Sequence, residues 1–381
     1  MVDLNPVVSQ LTTYPAEALY QTRDAAIEAG VDVFDFSVGD PLEPTDPAIR
    51  QAFVDALPTI SQYPTVRGES TFRRACAAWI KRRFAVSLDP DTQILPCSGA
   101  KEAIFHLPLV FLNPSRRPRV LYGIPGYPVY ERGTLFAGGT PWPVELRPDA
   151  GYLLEPWKLD RQAIAQTAII WTNYPHNPTG VVAERDYLDR LQQFAADHEL
   201  LLCGDECYVD LYLDDPPPPS LLQGQLTNVL TFHSLSKRSG MTGYRSGFIA
   251  GDAQLISVLA KARANFGTAS TDVVQRAAVA AWSDDAHVDL RRRTFREKRD
   301  VLLEFFAQHR IEHLPCRATL YIWVKTPNEQ DAMAYAQRLA EVGIIVSPAP
   351  LHGVDQPYVR LALVPTVEDC RRAVEVWRKA L

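Results

Sequence analysis

The 381-residue sequence has no excess of basic residues: 39 lysines and arginines face 45 aspartates and glutamates, for a net charge of −6. That balance, with a pI near 5.8, gives no electrostatic footprint for nucleic acid or for an acidic membrane surface. Also missing is any apolar run approaching the roughly 20 residues that cross a bilayer. Met1 to Pro15 offers neither a basic n-region nor an apolar h-region, so no secretory signal is read there and a cytoplasmic location is expected. The six cysteines are scattered, which in a reducing compartment makes them free thiols. No internal repeat is read in the sequence, and no DNA-binding extension is expected. What remains is a composition of ordinary globular kind, 46% hydrophobic, on a chain long enough for about two or three domains.

Periodicity predicts an α/β chain. The runs Ala168 to Thr172, Leu200 to Gly204 and Val229 to Phe232 are short, bounded by turn residues and too apolar for one-sided strands. They read as buried strands of a mostly parallel sheet. Between the first two, Tyr187, Leu188, Leu191, Phe194 and Ala195 share one face of a helix predicted from about Glu184 to His198. Strand, helix, strand is the parallel crossover unit. The alternation recurs upstream, with a helix from about Lys101, a strand near Arg119 to Tyr122 and a helix after Pro128. Pro216 to Pro219 read as a stiff surface loop, because strand-like sequence resumes at Asn228. Downstream, a charged helical stretch from Val288 to His309 precedes alternating Tyr321-Ile322-Trp323-Val324 and a last helix from Val367. That shift predicts a smaller α+β domain.

The segment Ser234-Leu235-Ser236-Lys237 through Arg245 to Gly247 carries the most chemistry. An amine between small hydroxyl residues, with an arginine eight positions on, suits covalent capture of an aldehyde cofactor and a grip on its phosphate. A free lysine, with a pKa of about 10.4, is mostly protonated and unreactive. Desolvation or a neighbouring cation such as Arg245 lowers that value. A solvated lysine in a polar loop is the plain alternative.

Other polar clusters fall at the ends of predicted strands. Ser98-Gly99-Ala100-Lys101 lies where a strand gives way to a helix, a place suited to phosphate or simply to capping. Asp205-Glu206 follows the Leu200 run at the carboxyl edge of the sheet, where open α/β sheets bind ligands, and Tyr208 lies three residues on. The turn Pro178-Thr179-Gly180 would fix the Asn177 amide, or be a turn and nothing more. His309-Arg310-Ile311-Glu312-His313 matches H-x-x-E-H, and two histidines four apart on a helix can bind zinc, but Leu314-Pro315 ends such a helix at once. Cys203, of the pair Cys203 and Cys207, falls within an apolar strand, and no metal is expected.

The ordered set Ser98-Gly99-Ala100-Lys101, Pro125-Gly126-Tyr127-Pro128, Asn177-Pro178-Thr179-Gly180, Asp205-Glu206-Cys207-Tyr208, Ser234-Leu235-Ser236-Lys237, Arg245 and Arg360 resembles the class I/II aminotransferases of the fold-type I pyridoxal-phosphate family, over nearly the whole chain. The resemblance implies a large α/β domain over residues 46–286, with a mostly parallel seven-stranded sheet between helices. A smaller α+β domain would come from the two chain ends, residues 1–45 and 287–381. Lys237 would hold pyridoxal 5'-phosphate covalently and act in catalysis with Asp205 and Tyr208. Asp205 would face the pyridine nitrogen, Tyr208 and Asn177 the phenolic oxygen, and Tyr127 the ring face. Gly99, Ala100, Lys101, Ser234, Ser236 and Arg245 would surround the phosphate. Arg360 would clamp the substrate α-carboxylate, assisted by the Gly39 backbone and Asn177. Tyr63 would reach the partner's active site in a homodimer.

Physical reasons accompany these roles. A buried carboxylate favours a protonated pyridine, which makes the cofactor a better electron sink. A planar carboxylate suits a bidentate arginine better than a lysine. The freed lysine can carry the substrate proton, and two half-reactions predict ping-pong kinetics with a 2-oxo acid.

The run His233 to Asp252, Tyr14-Pro15, Ala281 to Val288 and Tyr321-Ile322-Trp323 are similar to bacterial N-succinyldiaminopimelate aminotransferases of lysine synthesis. The implied reaction exchanges an amino group between N-succinyl-LL-diaminopimelate and 2-oxoglutarate. Such a donor ends in further carboxylates, for which Arg67, Arg23 and Arg317 are candidates, each otherwise a solvated surface arginine. Ser98-Gly99-Ala100-Lys101 resembles LL-diaminopimelate aminotransferases instead. The alternatives are an aminotransferase for LL-diaminopimelate, aspartate or alanine, a pyridoxal-phosphate lyase or decarboxylase on the same fold, and a non-enzymatic sensor.

Overall fold

The short apolar runs form the centre of the molecule. In the computed structural model, which describes residues 2–379 and 381, the strands in chain order are β1 (Phe34–Asp35), β2 (Ile94–Cys97), β3 (Arg119–Ile124), β4 (Thr140–Glu145), β5 (Thr167–Thr172), β6 (Leu201–Asp205), β7 (Val229–Ser234), β8 (Gly247–Gly251), β9 (Tyr321–Lys325), β10 (Ile344–Ile345), β11 (Ser347–Pro348) and β12 (Tyr358–Ala362). Seven of them make one sheet in the order β2-β8-β7-β6-β5-β3-β4. From β7 across to β4 all neighbours are parallel, and β8 runs antiparallel to both β7 and β2. Every residue of β2, β6, β7 and β8 is buried, which is why these runs are apolar on both faces. The sequence gives no alternation at β4, where Pro141 and Pro143 interrupt it; the strand survives because it lies at the sheet edge.

Crossover helices lie where the 3.6-residue period puts them. The helix Arg185–Asp197 buries Leu188, Leu191 and Ala195, and Ala100–Phe111 and Val129–Phe136 flank β3. The parallel crossovers bring the carboxyl ends of β5, β6 and β7 to one edge of the sheet. Asn173, Asp205 and Ser234 are thereby delivered side by side.

A second, antiparallel sheet has the order β11-β12-β9. Phe34 of β1 pairs with Ile344 of β10 in a separate two-stranded parallel sheet, which joins residues from near the two chain ends. Phe34 and Phe36 share a core with Phe295, Phe306, Ile322, Leu361 and Trp377. The helix Ala286–His309 packs on this core and stops at Arg310, whose backbone is left-handed with φ 56°. His309 and His313 therefore do not share a helix, and the helix ends before the position the H-x-x-E-H match needs. Among the described residues, no group of three or more histidines, cysteines or acids is placed to hold a metal ion.

Candidate active site

A cavity of about 310 Å³ opens at the carboxyl edge of the large sheet, where the β9 and β12 sheet covers it. Lys237, Asp205, Asn177, Tyr208, Arg245 and Arg360 all line it. Six residues scattered over more than 180 positions of sequence are thus brought to one space by the strand order.

Lys237 stands on a four-residue helix, Leu235–Arg238, directly after β7. The Ser234 hydroxyl caps that helix by accepting from the Ser236 N–H at 3.1 Å. The Lys237 ammonium donates to the Gly39 carbonyl. Burial pulls its pKa below the ordinary lysine value, and Arg360 adds to this, against the opposing pull of Tyr321 and Asp40. The sequence suggests Arg245 as the neighbouring cation; Arg360 fills that place. Arg245 turns away to donate to the Thr242 carbonyl at 2.8 Å.

Asp205 ends β6 and is buried, and that burial holds its carboxyl above the usual range. One carboxylate oxygen accepts from the Tyr130 hydroxyl at 2.8 Å and the other from the Cys207 N–H at 3.3 Å. The Asn173 amide donates to the Asp205 carbonyl at 2.8 Å. A buried carboxylate in this position has its ionised form favoured by a cation placed against it.

Gly99 precedes the helix Ala100–Phe111 with φ 82°, and a Cβ there would collide with the Arg245 guanidinium. Glycine lets the arginine close over the helix N-terminus, where backbone N–H groups and the dipole attract phosphate. Ala100, Lys101, Ser234 and Ser236 line the same cavity. Hydroxyls, a guanidinium, a helix N-terminus, a depressed amine and a buried carboxylate are the donor set that pyridoxal phosphate requires, so the residues present fit it.

Tyr208 and Tyr321 face each other with hydroxyls 3.2 Å apart. The Arg360 guanidinium lies 4.4 Å over the Tyr321 ring. It donates to the Asn177 side-chain oxygen at 3.0 Å and to the Ser37 carbonyl, while its Nε is buried without a partner. Tyr127 lines the cavity, and burial raises its pKa, with Tyr14 adding to the effect. Gly39 also lines it, packed so closely that a Cβ would strike the Tyr321 hydroxyl.

Four expected residues are elsewhere. Tyr63 is fully exposed and does not line this chain's cavity. Arg67 donates to the Asp91 carbonyl at 2.8 Å, Arg23 pairs with Asp24 at 2.7 Å and Arg317 pairs with Glu184 at 3.1 Å. None of these arginines enters the cavity, because each is held by its own surface partner. The further cation that does line it is Lys101, whose ammonium sits 4.2 Å over the Tyr14 ring. Sequence reasoning also missed Tyr130, Tyr321, Ser347 and His352 as site residues. Tyr130 could have been found as the residue one helical turn from Tyr127; the others come from the second sheet, whose docking leaves no local signal.

The family described as aminotransferase class I and II matches residues 31–376. The LL-diaminopimelate aminotransferase of Aquifex aeolicus is 34% identical over 382 residues, covering 98% of each chain. That of Desulforudis audaxviator is 36% identical over 345 residues, covering 88% of each. A solved aminotransferase of Neisseria meningitidis superposes with a TM-score of 0.92 at 30% identity, covering 99% of this chain and 100% of that one. The chain belongs to the class I and II aminotransferases and depends on pyridoxal phosphate.

Proposed function

We propose that this aminotransferase exchanges an amino group between LL-diaminopimelate and a 2-oxo acid, with 2-oxoglutarate as the acceptor. The observation that carries the reading is the presence of Arg360 and Lys101 in the cavity that holds Lys237. A donor with a carboxylate at each end needs two such cations. The names of the Aquifex and Desulforudis relatives support the same donor. N-succinyl-LL-diaminopimelate, which the His233 to Asp252 run favours, carries one carboxylate more, and Arg67, Arg23 and Arg317 are not placed to receive it.

Bound pyridoxal phosphate supplies the electron sink for a carbanion at the substrate α-carbon. Lys237 would hold the cofactor covalently, Asp205, its carboxylate fixed by Tyr130, would face the ring nitrogen, and Tyr208 and Asn177 would serve the phenolic oxygen. Tyr127 would cover the ring, and Gly99, Ala100, Ser234, Ser236 and Arg245 would form the phosphate end; Lys101, expected there from the sequence, stands over the Tyr14 ring and is left for the distal carboxylate. Arg360 clamps the α-carboxylate beside Gly39 and Asn177. That clamp fixes the α-carbon where the Lys237 amine, whose charged form burial disfavours, takes its proton. Tyr63, on the outer surface, is available to the partner's site in a homodimer.

The test is a panel of LL-diaminopimelate, N-succinyl-LL-diaminopimelate, aspartate and alanine, each with 2-oxoglutarate, followed by glutamate formation. LL-diaminopimelate should give the highest kcat/KM, and Lys101→Ala should lower that value by roughly tenfold or more, further than it lowers the value for alanine. A higher kcat/KM for any other donor, or release of carbon dioxide or pyruvate without glutamate, would overturn the reading.

A further inference from the structure

We propose that Ser347 and His352 form a hydrogen-bonded pair that supplies one donor to the substrate carboxylate held at Arg360, and so position the substrate. Both residues line the active-site cavity. Ser347 lies directly opposite Arg360 in the β11·β12 register, which puts the two side chains on one face of the sheet at about 5 Å between Cβ atoms. After β11 the short helical turn Ala349–His352, stiffened by Pro350, folds back and returns the His352 ring to Ser347. The His352 Nε2 and the Ser347 hydroxyl are 2.9 Å apart. Neither side chain has another hydrogen-bond partner among the described residues.

Counting hydrogens gives the pair its function. Burial, with Arg360 and His176 nearby, holds the His352 imidazole neutral, well below its ordinary pKa. A neutral imidazole carries one N–H, and serine carries one O–H. One of these two hydrogens makes the mutual bond, and one is left over. If serine donates to Nε2, the spare donor is the Nδ1–H of His352. If His352 donates, the spare donor is the serine hydroxyl. Either way one neutral donor remains on a side chain that lines the cavity with Arg360, whose two terminal nitrogens already face Asn177 and Ser37. A carboxylate has about four acceptor sites, more than one arginine edge fills. A neutral donor at this place adds a hydrogen bond without placing a second charge beside Arg360.

This inference rests on the reading of Arg360 as the carboxylate clamp. The test uses the holoenzyme with Ser347→Ala, His352→Phe, the double variant, and Arg360→Lys, measuring kcat and KM for alanine and for LL-diaminopimelate, the Kd of glutarate, and cofactor absorbance. Each single variant leaves one donor in place and should raise KM by about threefold or less. The double variant leaves none and should raise KM for both amino acids, and the glutarate Kd, by roughly tenfold or more, with kcat and cofactor content little changed. His352→Asn in the Ser347→Ala background, which restores a donor, should recover most of the loss. A double variant no worse than the product of the singles, a KM effect confined to diaminopimelate, or loss of cofactor with KM unchanged would each overturn the proposal. Failure of the clamp reading shows separately, as an Arg360→Lys enzyme with unaltered KM for both amino acids.

Discussion

At the scale of single residues, the site works by what burial does to charge. Loss of water lowers the Lys237 pKa, and the charge of Arg360 adds to this against Tyr321 and Asp40. Asp205 is pushed the same way, toward its neutral form, and here hydrogen bonds from Cys207 and Tyr130 oppose the push. The Tyr130 hydroxyl, 2.8 Å from the carboxylate, favours the ionised state that can face a cationic ring nitrogen. Removing that donor by Tyr130→Phe should raise the Asp205 pKa further and weaken cofactor binding by roughly tenfold, the worth of one hydrogen bond to a charged group. Equilibrium titration of the cofactor-free protein with pyridoxal phosphate measures this; an unchanged Kd would show that Tyr130 is only packing. The residues that carry chemistry were legible because each needs a particular side chain beside a turn or a strand end. Tyr130 was missed because a tyrosine on a helix face looks like any other apolar contact, with only its spacing from Tyr127 to single it out.

At the scale of elements, the question is how a four-residue helix holds a catalytic lysine still. A helix this short has no stability of its own, so Leu235–Arg238 must be held from outside. Arg238, next to Lys237, supplies the anchor. It donates to Asp210 at 2.7 Å, to the Ala281 carbonyl at 2.7 Å and to Asp285 at 2.6 Å. Asp210 in turn accepts from Trp79 at 3.0 Å and from Arg83 at 2.9 Å. These cations hold the buried Asp210 carboxyl below its usual range in spite of the opposing effect of burial. Asp210→Ala leaves the Arg238 and Arg83 guanidinium groups short of a buried partner, and breaking such a pair costs about 3–5 kcal/mol. Urea unfolding of the cofactor-free protein should show that loss, and a change under about 1 kcal/mol would mean that the network does not hold the helix. The parallel strands and their crossover helices were readable from period alone. The network was not, since Trp79, Asp210, Arg238 and Asp285 are far apart in sequence and each has an ordinary local setting. The same holds for the three misplaced arginines: sequence shows a charge but not which partner will hold it.

At the scale of the whole molecule, the sheet buries titratable groups whose effects on stability oppose one another. His176 and His233 are each held down to about 3 by burial, against an ordinary value of 6.5. Both stay neutral in the folded chain while the unfolded chain takes up protons. Their stabilisation is therefore complete above pH 6.5 and is lost as pH falls from there toward 3. Glu206 is held up to about 7 by burial, with one oxygen accepting from the Leu221 N–H at 2.8 Å and the other unpartnered. Its folded form keeps the proton, so its stabilisation is complete below the ordinary value of 4.5 and is lost as pH rises through 7. Between pH 6.5 and 5 each histidine removes about 2 kcal/mol, whereas Glu206 returns about 2 kcal/mol. His352 acts in the direction of the other histidines. The wild-type chain should therefore lose stability over this interval, and Glu206→Gln, which cannot take the extra proton, should lose about 2 kcal/mol more. Urea unfolding at the two pH values measures both slopes, and equal slopes for the two proteins would mean that Glu206 is already ionised in the fold.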